Sequence, residues 1–128
     1  MQRTQRLAAA NDFQLLFSRG RRFESALFRL VWRKNDLPCS RFVFVASKAV
    51  SKRAVIRNRL RRRVREWYGK QGELFPAPVD LALIFKKDAA RATRASFYEE
   101  LRRSTAILLR RDLPVHPHRA RLSDDALA

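Results

Sequence analysis

This 128-residue chain holds one cysteine, three glycines, two histidines and one methionine, and its 12 acids face 29 Lys and Arg. Each shortage excludes something. With Cys39 alone, neither an intramolecular disulfide nor a cysteine metal cluster can form, and a small residue in the turn "NDLPCS" is its simplest role. Three glycines leave no Gly-rich phosphate loop. His116 and His118, in "PVHPHRA", have no further ligands nearby and read as solvated. No apolar run approaches the roughly 20 residues that span a bilayer; "FVFVA" and "LALIF" are strand-sized. The N-terminal "MQRTQRLAAANDF" lacks the continuous apolar stretch of a secretory signal, so a soluble, cytoplasmic protein without a membrane role is expected. Carboxylates are scattered: Asp80 enters a strand, Glu99 and Glu100 sit on a helix, and Asp124 and Asp125 fall in the tail. No acid–base or nucleophile constellation emerges, so no catalytic residue and no protein metal site is assigned.

What is present is a core and a large excess of positive charge. A hydrophobic content of 46% supports one domain, assigned to residues 1–113, while the Pro-containing stretch 114–128 reads as a disordered tail. A formal charge of +17 destabilises so small a body by self-repulsion unless an anion neutralises it. The expected partner is a polyanion.

Periodicity orders the elements. Phe13, Leu16 and Phe17 fall at i, i+3 and i+4 after the caps Asn11 and Asp12, with Gly20 as a stop, which predicts a short amphipathic helix. "RRFES" reads as a short strand. "ALFRLVWRK" alternates Phe28, Leu30 and Trp32 against Arg29, Val31 and Arg33, and "RFVFVAS" is β-branched and aromatic on both faces. Ser47 and Ser51 are candidate caps for a helix from about Arg53 to Tyr68. After the loop "GKQGELFPAPV" come the strand "DLALIF" and a helix starting near Thr93 or Ser96, with Phe97, Leu101 and Leu108 on one stripe. The order α-β-β-β-α-β-α predicts an α+β fold in which helices pack on a four-stranded sheet.

The segment "KRAVIRNRLRRRVREWY" carries eight Lys or Arg and one acid. At about 100° per residue, Ile56, Trp67, Leu60 and Val64 fall within about 80° and make one seam, while Arg57, Arg61, Arg65 and Asn58 span about 100° to 200°. Residues 47–70 carry net +9, more than half of the whole charge. A charge run is ordinarily a solvated face, but this one is almost single-sign, with Arg62 to Glu66 as its one candidate ion pair. Like charges at i, i+4 cost a few tenths of a kcal/mol per pair, so the row weakens the isolated helix unless phosphates fill it. Guanidinium groups bind phosphate bidentately and stack on bases, and the apolar seam is too narrow for a membrane-lying helix. RNA is therefore favoured over an anionic membrane.

On these residues the chain resembles the protein subunit of bacterial ribonuclease P. "RLAAANDFQLLFSRG" is similar to that family's first helix, and "VASKAVSKRAVIRNRLRRRVRE" to its signature, where Arg57, Asn58 and Arg59 are followed by Arg61, Arg62, Arg65 and Glu66 at the family spacing. The resemblance runs from about Arg6 to Leu113. It implies a left-handed crossover through the basic helix, against the general preference. It also implies a monomeric protein that binds a catalytic RNA and the 5′ leader of precursor tRNA, assisting leader removal while the RNA performs the hydrolysis with Mg²⁺. Carried over, Phe13, Phe17, Arg29 and Val31 line a leader cleft with Arg57, Asn58, Arg61 and Arg65 along one wall. Ser47, Lys48, Lys52, Arg53, Arg59, Arg62 and Arg63 meet RNA phosphates.

The chain departs from the family pattern at Val43 and Val45, where a Gly and a small polar residue are usual, at Ala49, and at Val31, often aromatic in the family. These changes make the cleft floor bulkier and leave leader preference open. Two other classes compete. A small ribosomal or RNA-structuring protein fits the composition equally and is separated only by motif spacing. A DNA-binding regulator would require a helix-turn-helix, yet strands precede the basic helix.

Overall fold

Alternation along residues 28–34 sends Phe28, Leu30 and Trp32 to one side of a strand and Arg29, Val31 and Arg33 to the other, and the two sides bury against different helices. The computed structural model describes residues 4–7, 10–71, 75 and 77–112. In chain order these form β1 (Thr4–Arg6), α1 (Ala10–Arg19), β2 (Arg21–Glu24), β3 (Phe28–Lys34), β4 (Ser40–Val45), α2 (Ala54–Lys70), β5 (Val79–Phe85), a 3-10 helix (Lys87–Ala90) and α3 (Arg94–Asp112). The tail assigned to 114–128, with His116 and His118, lies outside the described residues.

The four expected strands all form, in the expected order among the helices, and a short strand joins them. The sheet order is β1-β4-β5-β3-β2. β5 is central, antiparallel to β3 and parallel to β4, so α2 is the crossover between two parallel neighbours. β1 adds only Thr4, Gln5 and Arg6, parallel to Ser40, Arg41 and Phe42. A three-residue strand whose partner lies 36 positions away has no local period to announce it.

One sheet face carries the main core. Phe28, Leu30 and Trp32 of β3, Phe42 of β4, and Leu81, Leu83 and Phe85 of β5 pack with Leu60, Val64 and Tyr68 of α2 and Phe97, Leu101 and Leu108 of α3. The other face is covered by α1 through a small cluster of Leu7, Leu16, Val31 and Ala82, flanked by Phe17, Val43 and Ile84. Burial on both faces explains the near-continuous apolar run of β5.

The helix ends differ in detail from the sequence expectation. Asp12 does not cap α1 but sits in its first turn, where its carboxylate pairs with Arg41. Neither serine is the N-cap of α2; Arg53 holds that position, and Ser51 Oγ accepts its N–H at 3.2 Å in a turn just before the helix. Thr93 is the α3 cap, accepting the Ser96 N–H at 3.1 Å. Tyr68 rather than Trp67 completes the α2 seam: its ring stacks on Phe42, Phe44 and Phe75, and its hydroxyl meets Thr105 Oγ1 at 3.0 Å. Burial pushes the Tyr68 phenol pKa above its ordinary value, the Thr105 hydrogen bond opposing it in part.

The two strands bordering the crossover are tied by charge as well as by their ladder. Arg41 of β4 stands beside Asp80 of β5. Its Nε and Nη2 donate to the two Asp80 carboxylate oxygens at 2.9 and 2.6 Å, and its Nη1 donates to Asp12 Oδ2 at 2.8 Å. Asn35 Nδ2 adds a further hydrogen bond to Asp80 at 2.8 Å. The Asp80 hydrogen bonds hold the Arg41 guanidinium pKa above its usual value against the opposing effect of burial.

Two outcomes follow for stability. Asp80 is only 8% exposed, so Asp80→Ala removes two of the three charge-assisted hydrogen bonds of Arg41, leaving the one to Asp12, and is expected to cost about 3 kcal/mol, measured by urea unfolding. At Gly20 a Cβ would collide with the Leu16 carbonyl oxygen and touch Val31 Cγ1 at 3.0 Å. Gly20→Ala is therefore expected to displace the end of α1 and cost about 1 to 3 kcal/mol by the same assay.

Candidate nucleic-acid interface

The seam that docks α2 on the sheet fixes where its cations point. On one flank Arg57 Nη1 donates to the Ser51 carbonyl at 2.9 Å, and Arg61 donates to the Ala46 carbonyl at 3.4 Å and to the Asn58 side-chain oxygen. Arg61 and Asn58 are thus linked to each other, and Arg57 is tied to the loop that follows β4. On the other flank the Arg63 guanidinium lies over the buried Phe97 ring, 5.6 Å from its centroid. Arg63 is half-buried, whereas Arg59 and Arg62 are exposed. Among the described residues no ion pair joins Arg62 to Glu66, so the row keeps its full charge.

The first flank borders a groove of about 740 Å³, lined by Arg61, Arg65, Tyr68 and Gly69 of α2, Phe42, Val43 and Phe44 of β4, and Arg6 of β1. Its position follows from the shortness of β1. Among the described residues, the last hydrogen bond there runs from the Leu7 N–H to the Phe42 carbonyl at 2.9 Å. Peptide groups on a strand alternate sides, so those of Phe44 point the same way as those of Phe42, past the end of β1 and toward the groove. The Ala46 carbonyl, next in the same alternation, takes Arg61. Neither Arg6 nor Arg65 is ion-paired among the described residues. Arg6 is a cation of this groove that the sequence pattern missed, because only the pairing of β1 with β4 brings it there.

Val43 connects the groove to the α1 side of the sheet, lining the groove while packing beside Phe17 in the smaller cluster. Phe13 and Phe17, both half-buried, stack with centroids 6.2 Å apart and planes 9° from parallel. Val31 corrects the expectation for the cleft lining: it is fully buried against Leu16 and Gly20, so it supports α1 from beneath and offers no surface. Arg29 is exposed but engaged, its Nε 2.6 Å from Glu24 Oε1. That hydrogen bond, with Lys86 at 3.8 Å, holds the Glu24 carboxyl below its ordinary pKa. Ser47, Lys48, Lys52 and Arg53 are exposed or nearly so in and after the β4–α2 loop, where the Val50 N–H closes a turn on the Ser47 carbonyl at 3.0 Å.

The arrangement can bind anions and stack on flat groups. Asp80, the buried carboxylate, already accepts from Arg41 and Asn35, and no cluster of three His, Cys, Asp or Glu able to hold a metal ion occurs among the described residues. No helix among them is long and apolar enough to cross a membrane.

Comparison with known proteins matches residues 1–109 to the family model described as Ribonuclease P. The chain is 34% identical over 109 residues to the ribonuclease P protein component of Syntrophobacter fumaroxidans, covering 84% of this chain and 88% of that one. Against the Thermotoga maritima protein component it is 30% identical, covering 85% and 92%. The solved structure of the Thermotoga maritima RNase P protein superposes with a TM-score of 0.69 at 28% identity, covering 79% of this chain and 94% of that one. The Staphylococcus aureus RNase P protein shares the fold, with a TM-score of 0.76 at 21% identity over 83% of this chain and 96% of that one.

Proposed function

The chain belongs to the bacterial ribonuclease P protein family and so serves tRNA 5′ maturation as a component of an endoribonuclease ribonucleoprotein; on that footing we propose how its surface divides the work. The groove between α2 and the open edge of β4 takes the 5′ leader of precursor tRNA, with Arg6, Arg61 and Arg65 on phosphates and Asn58 on a base edge or ribose hydroxyl. Phe13 and Phe17 offer a ring platform at the far side of Val43. Lys48, Lys52, Arg53, Arg59 and Arg62 serve the phosphates of the catalytic RNA, and Arg57 and Ser47 border both.

The observation that carries this reading is the groove itself: Arg6 of β1 and Arg65 of α2, neither ion-paired among the described residues, line it together with Phe42, Val43 and Phe44 of β4. Arginine suits that place because its planar fork grips phosphate and its face stacks on unpaired bases. Arg29 and Arg63 contribute less, since Glu24 and Phe97 already occupy their guanidinium groups. Hydrolysis belongs to the RNA subunit with its Mg²⁺ ions, and the protein, a cytoplasmic monomer within the holoenzyme, contributes binding and charge neutralisation. The domain that does this spans residues 1–113.

Two measurements test the reading. Added to a ribonuclease P RNA, the purified chain is expected to lower the Mg²⁺ concentration needed for precursor tRNA cleavage; no effect at low Mg²⁺ would sink it. Replacing Arg61 and Arg65 together by Ala is expected to flatten the salt dependence of precursor binding by up to about two units of log slope, at roughly 0.7 to 0.9 per phosphate contact. An unchanged slope would move the RNA to another face.

A further inference from the structure

Helix α1 is weakly fastened for an element that carries two half-buried aromatic rings. Leu16 is its one buried residue, and the cluster beneath it has four buried members against nineteen in the main core. A single apolar ridge lets a ten-residue helix roll about its axis, so polar pins must fix its rotation.

Two such pins are present, one at each end. At the C-terminal end Arg22 Nη2 of β2 donates to the Phe17 carbonyl at 2.6 Å. At the N-terminal end Asp12 Oδ2 accepts from Arg41 Nη1 at 2.8 Å. Arg41 makes a rigid post because its other donors are committed to buried Asp80, so the direction of the remaining N–H is fixed by the sheet.

The geometry around the helix axis gives this pin its consequence. With Asp12 at zero, Leu16 falls at about 40°, Phe13 at about 100° and Phe17 at about 140°. Asp12 and Leu16 are thus the anchored stripe, and the stacked rings of Phe13 and Phe17 stand on the adjacent one. Rolling the helix about Leu16 would bury or splay those rings. An acid on a surface meant for RNA repels phosphate, and pairing with Arg41 masks that charge.

We propose that Asp12, clamped by Arg41, is a positioning residue for leader binding: it sets the roll of α1 and so the presentation of the Phe13–Phe17 pair. This inference rests on the assignment of those rings to the leader. The test uses holoenzyme assembled from the full chain and a ribonuclease P RNA, and reads the ratio of affinities for precursor tRNA with a multi-nucleotide and a single-nucleotide leader. Loss of folded protein would lower both affinities together; loss of positioning lowers the ratio.

Asp12→Ala is expected to reduce that ratio about fivefold, from a partly exposed ion pair, and Asp12→Glu to restore most of it. Phe13→Ala should lower the ratio at least as far. A ratio unchanged in Asp12→Ala but lowered in Phe13→Ala overturns the positioning role alone. A ratio unchanged in Phe13→Ala overturns the leader assignment of the rings and the positioning role with it.

Discussion

Everything about the cationic surface of α2 depends on one seam, the packing of Leu60, Val64 and Tyr68 against the sheet. Alone, this helix would be disfavoured by its own charge, because arginines recur at i, i+3 and i+4 with one glutamate among them. Each such pair costs tenths of a kcal/mol, while burying each large apolar side chain of the seam contributes about 1.5 to 3 kcal/mol. The seam wins, and the helix holds its cations in fixed directions instead of letting them spread apart.

The sheet beneath is built to allow this. Both faces are covered, one by α2 and α3 and the other by α1, so apolar burial leaves free only the strand edges and the outer helix surfaces. The β1 edge is the informative one. Its pairing with β4 runs from Ser40 to Phe42, and the groove beside Phe44 is lined by Arg6, Arg61 and Arg65. An open edge invites unwanted strand pairing, and positive charge along it is a general means of preventing that. The same charge raises the local concentration of anions there.

The arginines of this chain do different work although composition treats them alike. Arg41 is a partly buried clamp with both terminal nitrogens and its Nε engaged. Arg63 covers a ring, Arg29 answers a glutamate, and Arg102 and Arg103 pair with Glu99 and Glu100 on the surface of α3. What distinguishes Arg6 and Arg65 is the absence of such partners among the described residues, which leaves their charge available to a phosphate.

Local periodicity made most of the architecture legible. The alternation of residues 28–34, the seam through residues 56–67 and the stripe Phe97, Leu101 and Leu108 each repeat within a few residues, and each became the predicted element. The first-helix stretch "RLAAANDFQLLFSRG" and the signature around Arg57, Asn58 and Arg59 together carried the family resemblance, because each is a local pattern. Legibility ended where the deciding partner lies far along the chain. Asp80 is 39 residues from Arg41 and Asp12 is 29 from it, so no local window of sequence marks this cation as bound. Alternation alone placed Val31 on the cationic side, and only the packing of α1 buried it. The sequence by itself determined which faces are apolar and where positive charge accumulates; tertiary structure decided which charges are left unpaired, since that depends on contacts no local period can encode.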